Sequence, residues 1–188
     1  YYHYVILSGS KKMKENYLAL ETRKKIYDLI SKSPGLHKRE IARELNMSLS
    51  TIDYHLHYME KRGIVIAKTD RKYKRYFVAE KTAAVDRRIM PLLRQETPRR
   101  IILFLLQNPK AIHKDICHHI KKAPSTISFH LKKLVEADIL EEISLGKEKA
   151  YVVRYPDKIV DLLITYKSTF LDKAVDKFVD AWASFGKE

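Results

Sequence analysis

The sequence predicts a mainly α-helical chain with small β-hairpins, in which one small domain occurs twice and a long helix follows the second copy. Residues 50–56, STIDYHL, return 75 residues later as residues 125–131, STISFHL. The same offset relates residues 21–78 to residues 96–153 without a gap, and an apolar helical pattern without Gly or Pro covers residues 157–185. A period of this length that occurs only twice indicates two copies of one domain rather than a solenoid.

The two copies share one order of predicted elements. A long amphipathic helix, a short helix, a tight turn and a third helix follow one another, with the helices at about residues 15–33, 37–45 and 48–62, and again at about 98–108, 113–120 and 124–137. Two β-branched, aromatic runs then enclose a charged turn, within residues 64–78 and 139–155. This order is typical of a winged helix-turn-helix, whose third helix enters the major groove of DNA and whose hairpin is the wing.

The predicted fold class is therefore mainly α with small β-hairpin wings: two tandem winged helix-turn-helix domains plus a long C-terminal helix. The predicted boundaries are an N-terminal segment (1–14), a first winged helix-turn-helix (15–79), a connecting helix (80–95), a second winged helix-turn-helix (96–155) and a C-terminal helix with a role in dimerisation (156–188).

The phase of each third helix separates a core face from an outward face. At about 100° per residue, three apolar residues in each copy form a stripe that belongs in the core: Ile52, Leu56, Met59, Ile127, Leu131 and Leu134. The opposite face carries hydroxyls, an aromatic ring and cations, which suit base edges, thymine methyls and phosphates. With the wing cations, the candidate DNA-binding residues are Ser48, Ser50, Thr51, Asp53, Tyr54, His57, Lys61, Arg71, Lys72, Lys74, Arg75, Ser125, Thr126, Ser128, Phe129, Lys132, Lys133, Lys147 and Lys149.

Some of these residues have a second interpretation. A hydroxyl at a helix start is often only an N-cap, which applies to Ser48, Ser50 and Ser125. The outward aromatic residue that recurs as Tyr54 and Phe129 has a protein contact as its alternative role.

The repeated pattern resembles the recognition helix of a known family. Ser-Thr-Ile-x-x-His-Leu-x-x-Met/Leu-x-x-x-Gly/Asp-Ile, which begins at Ser50 and at Ser125, is similar to that of ArsR-like winged-helix transcriptional regulators, and the tandem pair is similar to their archaeal two-winged-helix type. The resemblance covers about 60 residues of each copy. It implies sequence-directed binding to double-stranded DNA by a cytoplasmic, often dimeric, regulator. The second copy departs from the pattern because Asp138 replaces Gly63 at a position that often needs a left-handed conformation. Metal-sensing relatives use paired cysteines, which this sequence lacks.

The charge of the chain favours a polyanionic partner, because its net charge is +14 and its pI is about 9.7. Residues 21–78 carry 14 basic and 7 acidic side chains, residues 96–153 carry 10 and 7, and residues 154–188 carry 6 and 6. The basicity therefore belongs to the two domains, and mainly to the first. The single cysteine, Cys117, excludes an intrachain disulfide and fits a reducing cytosol.

The N-terminal segment allows a membrane interpretation. Its first nine residues, YYHYVILSG, are aromatic and apolar, and Lys11, Lys12 and Lys14 follow. This is the pattern of the end of a membrane span with its aromatic belt and positive flank, continued upstream, although nine residues alone cannot span a membrane. The alternatives are a disordered or tag-derived start, or a strand that packs on the body of the protein.

The pattern after residue 156 predicts a helix with apolar stripes at coiled-coil spacing, which requires a partner surface. We expect a homodimer through this helix, with the contacts listed as Leu163, Phe170, Leu171, Val175, Phe178 and Trp182. The alternative is that the helix packs on its own domain, against the helix that holds Ile101, Leu105 and Leu106.

No metal, cofactor or catalytic role is expected from the remaining polar residues. His113 and Cys117 share a helix face, but a buried thiol with surface histidines at positions 118 and 119 is the favoured interpretation. His55 and His130 are interpreted as packed, hydrogen-bonded histidines at the edge of the core. The sequence has no Gly-rich phosphate loop and no nucleophile elbow, so an enzyme is not expected.

The sequence thus favours a sequence-specific, DNA-binding transcriptional regulator. One alternative is a winged-helix scaffold that binds protein and contacts nucleic acid without specificity. The other is the same DNA reader tethered to a membrane by an upstream segment.

Overall fold

The computed structural model describes residues 19–70 and 73–185 of the chain. The chain divides into two compact units, with the boundary between Ala83 and Ala84. The predicted membrane-proximal segment (1–14) and the wing residues Arg71 and Lys72 lie outside the described residues. Within the described part, no helix is both long enough and apolar enough to cross a bilayer.

Unit 1 has the predicted order of helices and wing strands, with one additional short strand, β1, that was not predicted. Helix α1 is described from residue 19 to residue 32, and it is followed by β1 (Leu36–His37), α2 (Lys38–Glu44), α3 (Leu49–Lys61), β2 (Val65–Asp70) and β3 (Tyr73–Val78). The three strands form an antiparallel sheet in the order β1-β3-β2. The wing strands extend further toward the turn than the sequence predicted, since Thr69 pairs with Lys74 and Asp70 with Tyr73.

The core of unit 1 forms where the predicted stripe of α3 meets the other helices. Ile52, Leu56 and Met59 are fully buried and pack with Ile26 and Ile41. The stripe lies inward because positions 52, 56 and 59 fall on one side of a helix with 3.6 residues per turn. The opposite side of α3 is thereby directed to solvent.

Unit 2 repeats this arrangement and adds helices at both ends. Its elements are α4 (Ala84–Leu93), α5 (Glu96–Gln107), β4 (Ala111–Ile112), α6 (His113–Ile120), α7 (Pro124–Glu136), β5 (Leu140–Leu145), β6 (Glu148–Val153), α8 (Pro156–Thr165), α9 (Lys167–Phe170) and α10 (Lys173–Phe185). The sheet order β4-β6-β5 matches that of unit 1, and Ile127, Leu131 and Leu134 are buried as predicted. Two helix-turn-helix domains with hairpin wings are therefore confirmed.

The left-handed position after each third helix is also confirmed. Gly63 has φ +68°, and Asp138 has φ +60° at the equivalent position. Asp138 tolerates this conformation with its carboxylate held by three side chains. Arg154 donates to Oδ1, the Tyr155 hydroxyl donates to Oδ2 at 2.9 Å, and Arg88 donates to Oδ2 at 3.1 Å. The replacement of Gly63 by Asp138 in the second copy is thus accompanied by three hydrogen bonds that hold the Asp138 side chain.

The prediction of one long C-terminal helix is wrong, because the tail is three helices. The chain leaves α9 through Leu171, whose φ is +50°. Asp172 then precedes α10, and its side chain accepts a hydrogen bond from the Ala174 amide at 2.9 Å. The same carboxylate accepts a hydrogen bond from Nε of the buried Arg99 of α5 at 2.8 Å. Helix α10 consequently contacts α5, α8 and α9 of its own unit.

This folding determines which of the predicted dimer contacts are accessible. Leu163, Phe170, Val175 and Phe178 are buried within unit 2. Leu171, which is 93% exposed, and Trp182, which is 40% exposed, remain on the surface. The tail therefore agrees better with the alternative expectation, in which it packs against the helix that contains Ile101 and Leu105, than with a helix whose whole apolar stripe is available to a coiled-coil partner.

Candidate nucleic-acid interface

The start of α3 presents three exposed hydroxyls that are bonded to one another. Ser48 is the N-cap, and its Oγ accepts from the Thr51 amide at 3.1 Å. The same Oγ lies 2.9 Å from Ser50 Oγ and 2.7 Å from Thr51 Oγ1. Ser48 therefore has the capping role, while the hydroxyls of Ser50 and Thr51 remain on the solvent side of the helix.

The outward face of α3 continues with an aromatic ring and a cation. Tyr54 is 65% exposed, and its ring packs edge-on against His55 with 5.1 Å between ring centroids. His57 and Lys61 are exposed one and two turns further along. A phenol, an imidazole and an ammonium on one accessible helix face can contact base edges, thymine methyls and phosphates.

Beside this face, a cleft of about 470 Å³ lies between α2, α3 and the wing strand β3. Two ion pairs join its walls: Lys38 Nζ lies 2.8 Å from Asp53 Oδ1, and Lys74 Nζ lies 3.6 Å from Glu60 Oε2. The ring of Tyr73 in the wing stacks on His37 at 5.5 Å. The cleft thus places two lysines where a backbone phosphate can reach them.

The expectation that Arg75 is a wing cation open to phosphate is wrong. Arg75 is only 8% exposed, and its Nη1 donates to the Gly35 carbonyl at 2.9 Å. Glu40 Oε2 lies 3.8 Å from the same Nη1. Arg75 therefore ties β3 to the chain around β1, and of the two predicted wing cations that the structure describes in unit 1, Lys74 is the exposed one.

Burial perturbs two ring groups beneath this surface. Burial, followed by the charges of Glu60 and Asp53, raises the pKa of Tyr76 to about 12, so its phenol stays protonated. Burial, followed by the charge of Arg23, lowers the pKa of His55, so its imidazole is neutral at pH 7. His55 is packed as predicted, but within the described residues its buried Nδ1 has no hydrogen-bond partner.

The corresponding face of unit 2 is weaker in positive charge. Ser125, Ser128 and Phe129 are exposed on α7, Thr126 is half-buried, and Phe129 is 45% exposed. Of the cations on α7, Lys132 lies 3.9 Å from Glu136.

Of the three remaining candidate cations of unit 2, Lys133 and Lys149 are engaged with neighbours. Half-buried Lys133 donates to Gln95 Oε1 at 3.4 Å, and on the wing Lys149 lies 2.6 Å from Glu142 while Lys147 is exposed. The hydrogen bond that Lys149 donates to Glu142 raises the pKa of Lys149, which marks this lysine as paired with its own wing.

A histidine of α6 reaches the recognition helix of unit 2. His113 Nε2 lies 2.9 Å from Ser128 Oγ, and His113 Nδ1 lies 3.5 Å from Cys117 Sγ. Cys117 is half-buried, which raises the pKa of its thiol, and His118 and His119 are exposed. Among the described residues no group of three or more possible metal ligands occurs.

Sequence reasoning missed the contribution of α2 to the interface. Lys38 and Arg39 line the cleft of unit 1, although only the third helix and the wing were expected to supply cations. The repeat itself could have indicated this contribution, because the residues equivalent to Lys38 and Arg39 in the second copy are His113 and Lys114, which line the smaller cleft of unit 2. The first turn of the second helix therefore faces the interface in both units.

Comparison with known proteins gives matches to both domains. Residues 20–90 match a family model described as an N-terminal HTH domain, and residues 95–142 match the model of the bacterial regulatory proteins of the arsR family. Over 141 residues the chain is 31% identical to an uncharacterized HTH-type transcriptional regulator of Methanocaldococcus jannaschii. This match covers 74% of the chain and 35% of that protein, so the chain spans about a third of the length of its curated relative.

Two solved structures show a weaker likeness. One is a possible transcriptional regulator for arsenical resistance, at 23% identity and a TM-score of 0.34, which covers 52% of this chain and 94% of the other. The second is the DIP2311 protein of Corynebacterium diphtheriae, at 12% identity and a TM-score of 0.28, which covers 70% of this chain and 26% of the other.

The fold and the family matches together define a class of protein. Two helix-turn-helix domains, each with a hairpin wing and a recognition helix, make the chain a tandem winged helix-turn-helix protein. Its second domain matches the arsR model itself, and its first domain matches the model of an N-terminal HTH domain.

Proposed function

We propose that this protein is a sequence-specific transcriptional regulator that reads double-stranded DNA mainly through α3 of unit 1. The observation that supports this most is the outward face of α3, where exposed Tyr54 and the hydroxyls of Ser50 and Thr51 adjoin a cleft holding Lys38 and Lys74. Base-reading groups and phosphate-binding groups are thus adjacent, which is the combination that sequence-specific binding needs.

Unit 2 has a supporting part in this proposal. Its recognition helix keeps Phe129 and the hydroxyls of Ser125 and Ser128, but Glu142 and Glu136 accompany the cations Lys149 and Lys132. Carboxylates on a surface repel phosphate at the distances that matter in DNA binding. We assign unit 2 contacts that add to the affinity, and unit 1 the larger share of specificity.

The proposal includes a homodimer that acts in the cytoplasm. The resemblance to ArsR-like regulators, which use terminal helices to dimerise, favours assembly through the tail. Of the predicted dimer contacts, Leu171 and Trp182 are exposed and remain available for it. A two-fold dimer would match a palindromic pair of half-sites. DNA as a partner and a single free cysteine fit a cytoplasmic location.

Selection from a random duplex library tests the proposal. Duplexes retained by the wild-type protein are sequenced, and the affinity for the enriched site is compared with that for a scrambled duplex of equal length at one salt concentration. A specific regulator prefers its site by about 10³-fold or more. Equal affinity for both duplexes would reject sequence-specific reading and leave a scaffold that contacts nucleic acid without specificity.

A further inference from the structure

Two carboxylates of α3 form ion pairs with lysines of the candidate interface in unit 1. Asp53 accepts from Lys38 of the first turn of α2 at 2.8 Å, and Glu60 lies 3.6 Å from Lys74 of β3. Asp53 and Lys74 are exposed, and Lys38 and Glu60 are half-buried. All four line the same cleft, so both acids lie on the surface that is offered to a polyanion.

These ion pairs contribute little to the stability of the fold. Pairs on a solvent-exposed surface typically contribute little because water screens them and both side chains lose freedom. The carboxylates would also repel an approaching phosphate. Their placement is therefore better explained by an effect on binding than by an effect on folding.

We propose that Asp53 and Glu60 act as intramolecular competitors of DNA phosphate. In the free protein each carboxylate binds the lysine ammonium that a phosphate takes in the complex, so DNA must displace Asp53 from Lys38 and Glu60 from Lys74. This inference rests on the proposed function and assigns a regulatory role to the same surface. Bulk DNA binds less tightly as a result, whereas a duplex whose bases engage Tyr54 offsets the displacement with base contacts.

Unit 2 offers an internal comparison, because its cleft lacks both acids of the recognition helix. Ser128 stands in place of Asp53 and bonds to His113, which stands in place of Lys38. Val135 stands in place of Glu60, and Lys149 pairs with Glu142 of its own wing instead. The competition inside the cleft, between recognition-helix carboxylates and phosphate, is thus specific to unit 1, to which we assign the larger share of specificity.

The neutral isosteres Asp53→Asn and Glu60→Gln test this inference, singly and combined. Affinity for a scrambled duplex and for the selected site is measured against salt. Each substitution frees one lysine. The slope of log affinity against log salt concentration (the salt slope) for the scrambled duplex should therefore steepen by roughly 0.9, and by roughly 1.8 in the double variant. At 0.1 M salt the affinity for the scrambled duplex should rise by about 3- to 10-fold per substitution.

Glu80→Gln is the matched control, because it removes one negative charge from exposed Glu80, which lies outside the cleft. It should leave the slope unchanged and alter affinity by less than about twofold, as screening at a Debye length of about 10 Å predicts. Slopes for Asp53→Asn and Glu60→Gln that equal the control slope would overturn the inference.

A double-mutant cycle between positions 38 and 53 separates the ion pair from general charge. Lys38→Met should cost little affinity for the scrambled duplex in the wild-type background, and should abolish the gain in the Asp53→Asn background. Additive effects would overturn the inference. If the wild-type protein prefers no duplex, the proposed sequence specificity is rejected, but the salt slopes for the scrambled duplex still test the inference about Asp53 and Glu60. If the wild-type protein prefers its selected site and the substitutions leave the salt slopes unchanged, only the inference about Asp53 and Glu60 is rejected.

Discussion

Tyr54 and Phe129 occupy equivalent positions on α3 and α7, and each ring packs edge-on against the following histidine with 5.1 Å between centroids. Their local packing is therefore alike, and a difference between them must come from the Tyr54 hydroxyl or from the surroundings. We predict that Tyr54→Ala lowers the affinity for the selected site by about 1 kcal/mol more than Phe129→Ala does, since good base contacts are worth about 1–3 kcal/mol.

Both variants are titrated onto one selected duplex at one salt concentration. Their affinity for the scrambled duplex serves as the control, because loss of a base contact leaves the phosphate contacts intact. Equal losses would mean that the two units read DNA alike. A larger loss from Phe129→Ala would transfer the reading role to unit 2.

Asp138 shows how a residue that departs from the repeat is accommodated. Hydrogen bonds from Arg154, Tyr155 and Arg88 lower the pKa of its carboxyl from 3.8 to about 2. Because the folded pKa lies below the ordinary value, the stabilisation is complete above about pH 4 and is lost as the pH falls toward 2. We predict that Asp138→Asn lowers the melting temperature of unit 2 at pH 7, and that the difference from wild type narrows between pH 4 and pH 2.

The reciprocal change Gly63→Asp is the control for this prediction. The equivalents of Arg154 and Tyr155 in unit 1 are Ala79 and Glu80, which cannot hold a carboxylate. An added Cβ at Gly63 meets no atom within 4 Å, but its φ of +68° strains a side-chain-bearing residue. Gly63→Asp should therefore destabilise unit 1. A difference between Asp138→Asn and wild type that stays constant from pH 7 to pH 2 would contradict the anchoring role.

Individual residues differ in how far the sequence predicts them. The core stripes of α3 and α7 follow from helical periodicity, and both are buried as expected. Arg75 could not be assigned this way, because its burial depends on a carbonyl at Gly35, 40 residues away in the chain. The ion pair of Lys38 with Asp53 is likewise a contact between two elements. Periodicity states which side a residue faces, but it does not state which neighbour is there.

At the scale of elements, the tail is where sequence reasoning failed. Residues 157–185 contain no Gly or Pro, so the local pattern gives no signal for the helix break at residues 171–172. The break depends on Leu171 in a left-handed conformation and on Asp172, whose partner Arg99 lies 73 residues earlier. Arg99 also donates to the Leu93 carbonyl at 2.8 Å, so its guanidinium joins α4, α5 and the start of α10.

We predict that Asp172→Ala destabilises unit 2 by about 3–5 kcal/mol, because it leaves the buried charge of Arg99 without its carboxylate. Urea unfolding followed by far-UV circular dichroism measures the loss. Asp180→Ala is the matched control on α10, because Asp180 pairs with Lys167 at 2.7 Å on an exposed surface and should contribute about 1 kcal/mol or less. Equal effects of the two substitutions would show that the Arg99 pair does not hold the tail.

At the scale of the whole molecule, charge and apolar surface are separated along the chain. The excess of basic residues lies in the two helix-turn-helix domains, whereas residues 154–188 carry equal numbers of acidic and basic side chains. The neutral tail exposes Leu171 and Trp182, and Trp182 lines a groove of about 410 Å³ with Leu106 and Phe178. A neutral, partly apolar surface is suited to a second copy of the chain, while the basic domains remain free for DNA.

The last prediction is that Leu171→Glu combined with Trp182→Glu converts a dimer into a monomer, as measured by light scattering at several concentrations. Leu171 is 93% exposed, and Trp182 is 40% exposed with its ring stacked on Phe178. The double variant should therefore disturb the fold less than deletion of the tail, which would uncover the core around Val175 and Phe178. Two charges buried in an interface oppose association because their desolvation is not compensated. Affinity for one half-site should stay unchanged while affinity for a paired site falls, since the link between two half-sites is lost. A double variant that remained dimeric would place the interface on another surface, such as helix α1, where Leu20 is exposed.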